Sequence, residues 1–256
     1  MTIAVCVKQV PELSEKLEIT DSAKINRQRK IVLDDADRCG VELGLQIGEK
    51  LGQDVVVFCI NPDDETAGIR EALAMGADSA VFMNDEKVFY SNSINIGKNL
   101  GSMITDSGLD IKLIITGVES SDTYHGVIPS VLSQTLDFTL ASNVKEVDLD
   151  AVNDSELKMT KQTQAGDVPV TASFPCIVSV TAKVVEPRYP NFKGIMAAKK
   201  KEIKTVDSGE ITLGGSWGVE NIDEVDLTKD GQIFDNDSID RAIEEIVNLL
   251  KQEDVL

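Results

Sequence analysis

The residues best placed to do chemistry in this 256-residue chain form one polar loop from Gly117 to Gly126, with the sequence GVESSDTYHG. Its two glycines allow a ligand to approach the backbone closely, and the helix pattern that follows from Val127 offers its first amides as donors. Asp122 is available for a ribose hydroxyl or for capping that helix. These groups suit a nucleotide phosphate. Because neither a P-loop nor a GxGxxG pattern is present, an ordinary capped loop explains the same residues.

Two further groups of residues could do chemistry. His125 is the single histidine of the chain, and it either contacts a phosphate or simply lies where the helix begins. No nucleophile-elbow pattern accompanies it, so a catalytic dyad is not indicated. Asp34, Asp35 and Asp37 place three carboxylates within four residues. A metal ion could use them, but a solvated helix N-terminus explains them more simply.

Composition excludes several classes of function. The formal net charge is −19, which would repel the phosphates of nucleic acid and an anionic membrane surface. Four cysteines and one histidine, without a CxxC pair, supply no zinc or iron–sulfur ligand set from neighbouring residues, so buried free thiols in a reducing compartment are expected. The longest apolar run, Val55–Ile60, is too short to span a bilayer. The chain begins with a strand-like run and has no basic leader, so we expect a cytoplasmic protein.

The polar loop lies within an alternation of strand and helix patterns. The strand patterns are Thr2–Val7, Asp54–Ile60, Ser79–Met83 and Leu113–Thr116, and the helix patterns are Asp34–Leu51, Asp63–Met75, Ser91–Ser107 and Val127–Leu136. Regular alternation of this kind predicts right-handed crossovers and a mostly parallel sheet with helices on both faces. Ligands of such sheets bind beyond the carboxyl ends of the strands, which is where the loop would lie.

The pattern changes after about residue 140. Val144–Leu149 and Glu156–Thr163 indicate a hairpin around Asn153-Asp154, and Phe174–Ala182 indicates a further strand. From about residue 205 the sequence is acidic, rich in glycine and weakly patterned. Ser238–Lys251 then predicts an amphipathic helix. This helix would either fold back on its own domain or dock on another chain, and the sequence leaves both alternatives open.

One segment is distinctive enough to indicate a family. Glu186–Lys201, with the sequence EPRYPNFKGIMAAKKK, resembles the signature of electron transfer flavoprotein beta subunits. Val5–Pro11 (VCVKQVP) resembles the first strand and loop of that family, and Arg70–Asp78 (REALAMGAD) resembles the end of one of its helices. The Gly117–Gly126 loop stands where the family binds a nucleotide phosphate. The resemblance covers roughly residues 1–205.

The resemblance implies an electron-carrier subunit that is not itself an enzyme. Its fold would be a three-layer α/β domain with a mostly parallel, Rossmann-like sheet over residues 1–205. A C-terminal arm, residues 206–256, would end in a helix that docks on a larger alpha subunit. The alpha subunit would hold most of a redox-active FAD, and this subunit would hold a structural AMP. The residues that match the AMP site by position are Cys6, Asp34, Asp35, Ala36, Asp37, Ile60, Asp122, Thr123, Tyr124, His125 and Gly126.

The sequence departs from the family pattern at two places in this site. Asp34-Asp35-Ala36 replaces the Asn-Pro-Phe or Asn-Pro-Tyr that the family often carries, so an acid takes the place of a neutral amide. The loop also lacks the IDGDT string of electron-bifurcating relatives, which hold a second FAD here. AMP is therefore the preferred ligand. Two alternatives remain: a bifurcating subunit with a second FAD, and an adenine-nucleotide sensor that works without a partner.

The resemblance also predicts a docking face for flavin-dependent dehydrogenases, such as acyl-CoA dehydrogenases. Phe192 stands where the family carries a large apolar anchor, between Pro190 and the Lys193-Gly194 pair. A cluster of basic residues in this acidic protein would orient an acidic partner. Its members are Lys199, Lys200, Lys201 and Lys204, with Arg188 and Lys193 just upstream. A solvated helix face explains the same lysines.

Overall fold

The computed structural model describes residues 1–12, 19–21, 24–25, 30–207, 223 and 238–255. Most of the acidic, glycine-rich segment between residues 205 and 238 therefore lies outside the described residues. The strands are β1 Thr2–Val7, β2 Gln9–Pro11, β3 Ile19–Asp21, β4 Lys24–Ile25, β5 Ile31–Leu33, β6 Val55–Asn61, β7 Ser79–Asn84, β8 Ile111–Gly117, β9 Thr139–Val147, β10 Glu156–Thr163, β11 Gly166–Ser173, β12 Cys176–Val180 and β13 Ile203–Val206. The helices are α1 Asp35–Leu51, α2 Ala67–Met75, α3 Ser93–Asp106, α4 Ile128–Leu136, α5 Phe192–Ala198 and α6 Ile239–Gln252.

Nine strands form one sheet in the order β11-β10-β9-β12-β8-β1-β6-β7-β13. The seven strands from β9 to β13 pair in parallel, and β10 and β11 extend the sheet antiparallel at one edge. The hairpin predicted around Asn153-Asp154 is confirmed, because β9 and β10 pair antiparallel on either side of it. The mostly parallel α/β sheet predicted from the alternating pattern is also confirmed.

Helices cover the sheet on both faces, which gives three layers. Alternate residues of β1 pack on opposite sides: Ile3 and Val5 join the core beneath α1 and α2, whereas Ala4 and Cys6 join the core beneath α3 and α4. This is the two-residue period of a strand with both faces buried, and it explains why the central strands are continuous apolar runs.

The connections reverse direction at the centre of the sheet. From β1 the chain winds outward through β6 to β7, and then returns to β8 on the opposite side of β1. The carboxyl ends of β1 and β8 therefore flank the topological switch point, where open α/β sheets bind ligands. The segment after β1 and the Gly117–Gly126 loop after β8 are thereby brought together.

Helix α2 begins later than its sequence pattern predicted. The helix was expected to begin at Asp63, but it begins at Ala67 and its N-cap, Thr66, provides no side-chain cap. Gln9 of β2 caps it instead. The Gln9 side chain accepts hydrogen bonds from the amides of Gly68 (2.8 Å) and Ile69 (3.4 Å) and is fully buried. A cap supplied from another element leaves no local signal in the sequence of the helix.

The C-terminal helix α6 belongs to a separate compact unit, residues 221–256, and is described by itself. Its amphipathic character is confirmed: Ile239, Ile243, Ile246 and Leu249 repeat at helical spacing along one side. Within this unit their side chains are 52–56% exposed, and α6 buries no residue. Among the described residues, no helix is long and apolar enough to cross a membrane.

Candidate functional site

Asp37 joins the two strands that flank the switch point. One carboxylate oxygen accepts the amide of Lys8, directly after β1, at 2.7 Å, and the other accepts the amide of Gly117, at the end of β8, at 3.0 Å. The approach is so close that a Cβ on Gly117 would lie 2.7 Å from Asp37 Oδ1 and 3.2 Å from Cβ of Ala36. Glycine is therefore required at this end of the loop.

Burial raises the pKa of Asp37 to about 7, and the nearby charge of Asp34 adds to the rise. The amide hydrogen bonds from Lys8 and Gly117 and the positive charge of Lys8 oppose it without cancelling it. Only 7% of Asp37 is exposed, so loss of hydration outweighs the two hydrogen bonds. Near neutral pH this carboxyl group therefore exists in both protonation states.

Asp34 fastens the loop to helix α1. As the N-cap of α1, its Oδ1 accepts the amide of Ala36 at 3.1 Å, which is the usual role of an aspartate at this position. Its Oδ2 accepts both the amide and the hydroxyl of Ser121, at 2.8 and 2.6 Å. Asp34 is 1% exposed.

The predicted helix N-terminus is therefore confirmed at these aspartates, but the expectation that they are solvated is wrong for Asp34 and Asp37. Folding buries both against the ends of β1 and β8. Only Asp35 remains exposed, where it pairs with Arg38. Within the described residues, no group of three acidic, histidine or cysteine side chains could hold a metal ion.

Lys8 lies at the centre of the site. Its ammonium group lies 2.6 Å from Asp122 Oδ1, 3.2 Å from Ser120 Oγ and 3.4 Å from Thr123 Oγ1. Sequence reasoning missed Lys8, although a charged residue directly after a buried strand was a usable signal. Asp122 does not cap α4, because that helix begins at Ile128 and its N-cap is Val127, with no side-chain cap. Of its two predicted roles, capping is wrong and contact with a ribose stays a prediction.

The outer part of the loop is open. Tyr124 adopts a left-handed backbone conformation with φ of 54° and is 68% exposed. His125 is also exposed, with its Nδ1 3.1 Å from the hydroxyl of Ser93 at the start of α3. A Cβ on Gly126 would lie 3.0 Å from the carbonyl oxygen of Val118, so a side chain at this end of the loop would crowd that oxygen. With no side-chain cap on α4, the amides of its first turn can donate hydrogen bonds to an anion, except at Pro129, which has no N–H.

The remaining predicted site residues lie in apolar surroundings. Cys6 and Ile60 are 4% and 7% exposed and belong to the core beneath α3 and α4. Burial, together with the charge of Asp37, raises the pKa of the Cys6 thiol far above its usual range, so this thiol is not a nucleophile. Ala36 lies in the first turn of α1, next to Gly117.

The second predicted site is built on α5, which packs against α2. The Arg70 guanidinium donates to the carbonyl oxygens of Ala198 (2.7 Å) and Lys201 (3.1 Å), near the end of α5. In return, the Lys201 ammonium group donates to three carbonyl oxygens at the end of α2, those of Leu73 (3.1 Å), Gly76 (3.1 Å) and Ala77 (2.6 Å). Each of the two distinctive sequence segments, REALAMGAD and EPRYPNFKGIMAAKKK, therefore supplies hydrogen-bond donors for the carbonyl oxygens at the C-terminal end of the other segment's helix.

Arg188 is also engaged within the chain. Its guanidinium forms a two-point hydrogen bond with Glu42, at 2.7 and 3.0 Å, and a third bond with Glu49 at 2.6 Å. Burial alone would raise the pKa of Glu42, but hydrogen bonds from Arg188 and Gln46 outweigh it and the pKa is lowered. Of the predicted basic cluster, Arg188 and Lys201 thus make internal contacts, whereas Lys199 and Lys200 are exposed.

Large apolar side chains project from the chain around the start of α5. Tyr189 is 90% exposed and Phe192 is 79% exposed, and Ile195 and Met196 follow at 46% each. Asn191 caps α5 by accepting the amide of Gly194 at 2.9 Å, so Phe192 is held in the first helical turn. We call these four residues the α5 apolar face. Exposed apolar clusters of this kind typically mark interaction surfaces.

Comparison with known proteins shows which proteins this chain is similar to. Residues 22–210 match the family described as the electron transfer flavoprotein domain. The electron transfer flavoprotein subunit beta of Mycobacterium leprae (strain TN) is 36% identical over 237 residues, which cover 90% of this chain and 85% of the relative. The subunit of the same name from Thermoanaerobacterium thermosaccharolyticum is 26% identical over 266 residues, covering 100% of both chains.

Proposed function

This chain belongs to the family of electron transfer flavoprotein beta subunits, and on that premise we propose that it is the small half of a heterodimeric electron carrier. It would accept electrons from flavin-dependent dehydrogenases and pass them to a downstream acceptor, together with an alpha subunit. It performs no catalytic reaction alone. All four cysteines are buried thiols that form no disulfide, which suits the reducing conditions of the cytoplasm as the proposed compartment.

The proposed cofactors are a structural AMP in this subunit and an FAD held mainly by the alpha subunit. When bound, the flavin supplies the redox chemistry of the dimer. The residues at the switch point suit an AMP phosphate: α4 begins without a side-chain cap, and the Gly117–Gly126 loop has glycine at both close approaches. Cys6 and Ile60 would line the apolar floor of the crevice, and Asp122 to Gly126 would surround the phosphate. A ligand held only by the folded state would stabilise it by mass action.

A count of bound cofactors tests this assignment. Acid extraction of the native heterodimer should release one FAD and one AMP per dimer. Two FAD and no AMP would contradict the assignment and favour the electron-bifurcating alternative. A stable chain that binds adenine nucleotide but never associates with a flavoprotein subunit would favour the sensor alternative.

The single observation that supports the docking role best is the exposure of Phe192, 79% of whose surface is accessible. A large aromatic side chain held in water at the start of a capped helix is favourable only if a partner receives it, and aromatic anchors dominate many interfaces. Lys193, Lys199 and Lys200 are exposed near it along the chain. We expect them to steer an acidic surface of the dehydrogenase toward the α5 apolar face.

Substitution of Phe192 by alanine tests this role. We expect Phe192→Ala to slow electron transfer from the physiological dehydrogenase by about 10- to 100-fold, a loss on the order of 2 kcal/mol. Flavin content and melting temperature should not change, because the side chain makes little contact with its own chain. Ile94→Ala on α3 provides the control, since Ile94 is also exposed, at 51%. A Phe192 variant that loses several degrees in melting temperature but keeps its transfer rate would contradict the docking role.

The C-terminal helix α6 is proposed to dock on the alpha subunit through its apolar side. Ile239, Ile243, Ile246 and Leu249 are each more than half exposed within their own unit. Burial of several such side chains contributes roughly 1.5–3 kcal/mol each before the entropy of ordering is subtracted. This free energy of burial would stabilise the association of the two subunits.

A further inference from the structure

We propose that Lys8 is the residue that recognises the nucleotide phosphate, and that it does so by exchanging its bond to Asp122 for a bond to the phosphate. This inference rests on the proposed AMP site. It assigns to Lys8 the discrimination between AMP and its uncharged counterpart adenosine. It also gives Asp122 the role of an internal competitor for the same ammonium group.

The position of Lys8 is the first argument. Lys8 directly follows β1, and its ammonium group lies among three side-chain oxygens of the Gly117–Gly126 loop, with Asp122 nearest at 2.6 Å. The backbone of Lys8 is held by Asp37 at 2.7 Å, so its side chain starts from a fixed point at the switch point. The Lys8 side chain is 38% exposed and that of Asp122 is 12% exposed, so the ammonium group can be reached from solvent.

The charge of the site is the second argument. Three carboxyl groups converge at the ends of β1 and β8, those of Asp34, Asp37 and Asp122. Among the described residues, Lys8 is the only cationic side chain that is hydrogen-bonded to the Gly117–Gly126 loop. A phosphate with about two negative charges would meet net repulsion here unless Lys8 turned toward it. The amides of α4 carry only a partial positive charge and cannot balance it alone.

The relative strength of the two pairings is the third argument. A partly exposed lysine–carboxylate pair is worth little in water because both groups lose hydration and side-chain freedom. A phosphate offers more charge and more acceptor oxygens, and the first amides of α4 would hold it at the same time. The exchange of Asp122 for phosphate is therefore favourable for Lys8, and it leaves Asp122 free to face water or a ribose hydroxyl.

The proposed exchange predicts that substitutions of Lys8 and of Asp122 have opposite effects on the affinity for AMP. Bound AMP would first be removed from the purified heterodimer by extensive dialysis, and equilibrium dialysis with AMP and separately with adenosine would then measure both affinities. We expect Lys8→Met to weaken AMP by at least about 10-fold while adenosine changes by less than about 2-fold, and Lys8→Arg to keep most of the AMP affinity. Asp122→Asn should tighten AMP by a few fold because it removes the competitor. Lys87→Met is the control, since Lys87 is a 52% exposed lysine outside the loop.

The outcomes separate this inference from the proposed function. Equal weakening of AMP and adenosine by Lys8→Met would show that Lys8 only fastens the loop, and would overturn the inference. Equal weakening of both ligands by Asp122→Asn would also overturn it, since Asp122 would then hold the ribose in place of competing for Lys8. If the wild-type dimer took up neither ligand, the AMP assignment itself would fail. If it bound AMP but did not prefer it to adenosine, only the role of Lys8 would fail.

Discussion

Replacement of Asp37 by asparagine tests whether the switch point carries a buried carboxyl group that resists ionisation. Asp37 is 7% exposed and accepts the amides of Lys8 and Gly117 at 2.7 and 3.0 Å. Asparagine has nearly the same shape and keeps one acceptor, but it cannot ionise. Its amide group would face one of the two N–H donors, which leaves that donor without an acceptor.

The magnitude follows from the pKa of about 7, against an ordinary value of 3.8. Because the pKa is raised in the folded state, the stability associated with the protonated form is fully present below about pH 4 and is lost as the pH rises through about 7. Each pKa unit corresponds to ~1.4 kcal/mol, so the whole loss is about 4 kcal/mol, of which about 3 kcal/mol falls between pH 5 and pH 8. This is a large share of a typical free energy of unfolding, about 5–15 kcal/mol.

The assay is urea unfolding of the full-length protein at pH 5 and pH 8, followed by far-ultraviolet circular dichroism. At pH 5 we expect Asp37→Asn to be less stable than the wild type by about 1–3 kcal/mol, because one buried donor loses its acceptor. At pH 8 this deficit should shrink or reverse, since the difference between the two proteins changes by about 3 kcal/mol.

Asp148→Asn provides the matched control. Asp148 is exposed and also accepts a backbone amide, that of Ala151 at 3.2 Å, so its replacement should have the same small effect at both pH values. The reasoning about Asp37 is refuted if the difference between wild type and Asp37→Asn is the same at pH 5 and pH 8 to within about 0.5 kcal/mol.

Three further predictions test the contacts that position the two sites. Gln9→Leu should lower the free energy of unfolding by about 2–4 kcal/mol in urea titrations, because it leaves the amides of Gly68 and Ile69 unpaired in the core; exposed Gln134→Leu should have little effect, and equal losses would contradict this. Gly194→Ala should cost about 1–3 kcal/mol, because its Cβ would lie 2.5 Å from the carbonyl oxygen of Ala74; an unchanged melting temperature would show that α5 shifts freely. Removal of residues 238–256 should leave the circular dichroism of the remaining domain intact but weaken heterodimer formation in analytical ultracentrifugation, and unchanged association would show that α6 does not dock on the partner.

The fold class could be read from the sequence because its signals are local. Apolar runs such as Val55–Ile60 alternate with helical periods, and that alternation alone requires a parallel sheet covered by helices. The amphipathic period of α6 was equally visible. The edge strand β11 was not, because it carries Pro169 and most of its residues are exposed, with only Ala172 buried.

The site could be predicted only in part, because only some of its contacts join residues that are close together in the chain. The Gly117–Gly126 loop could be identified from its composition, and Asp34 from its position before a helix. The start of α2 was misplaced because its cap, Gln9, lies 59 residues away from the Gly68 amide that it accepts. Arg188 was predicted to face a partner, but its carboxylate partner Glu42 lies 146 residues away in the chain and is 3% exposed.

The sequence by itself determined the family, the alternation of the central strands and helices, and the loop at which a phosphate could bind, since each depends on residues close together in the chain. Only the tertiary structure decided which charges meet. Lys8 and Asp122 are 114 residues apart, and Asp37 and Gly117 are 80 apart; they touch because β1 and β8 are neighbours in the sheet. Burial at that junction then raises the pKa of Asp37, because the energy of a charge depends on the groups and the water around it, and the fold alone fixes both.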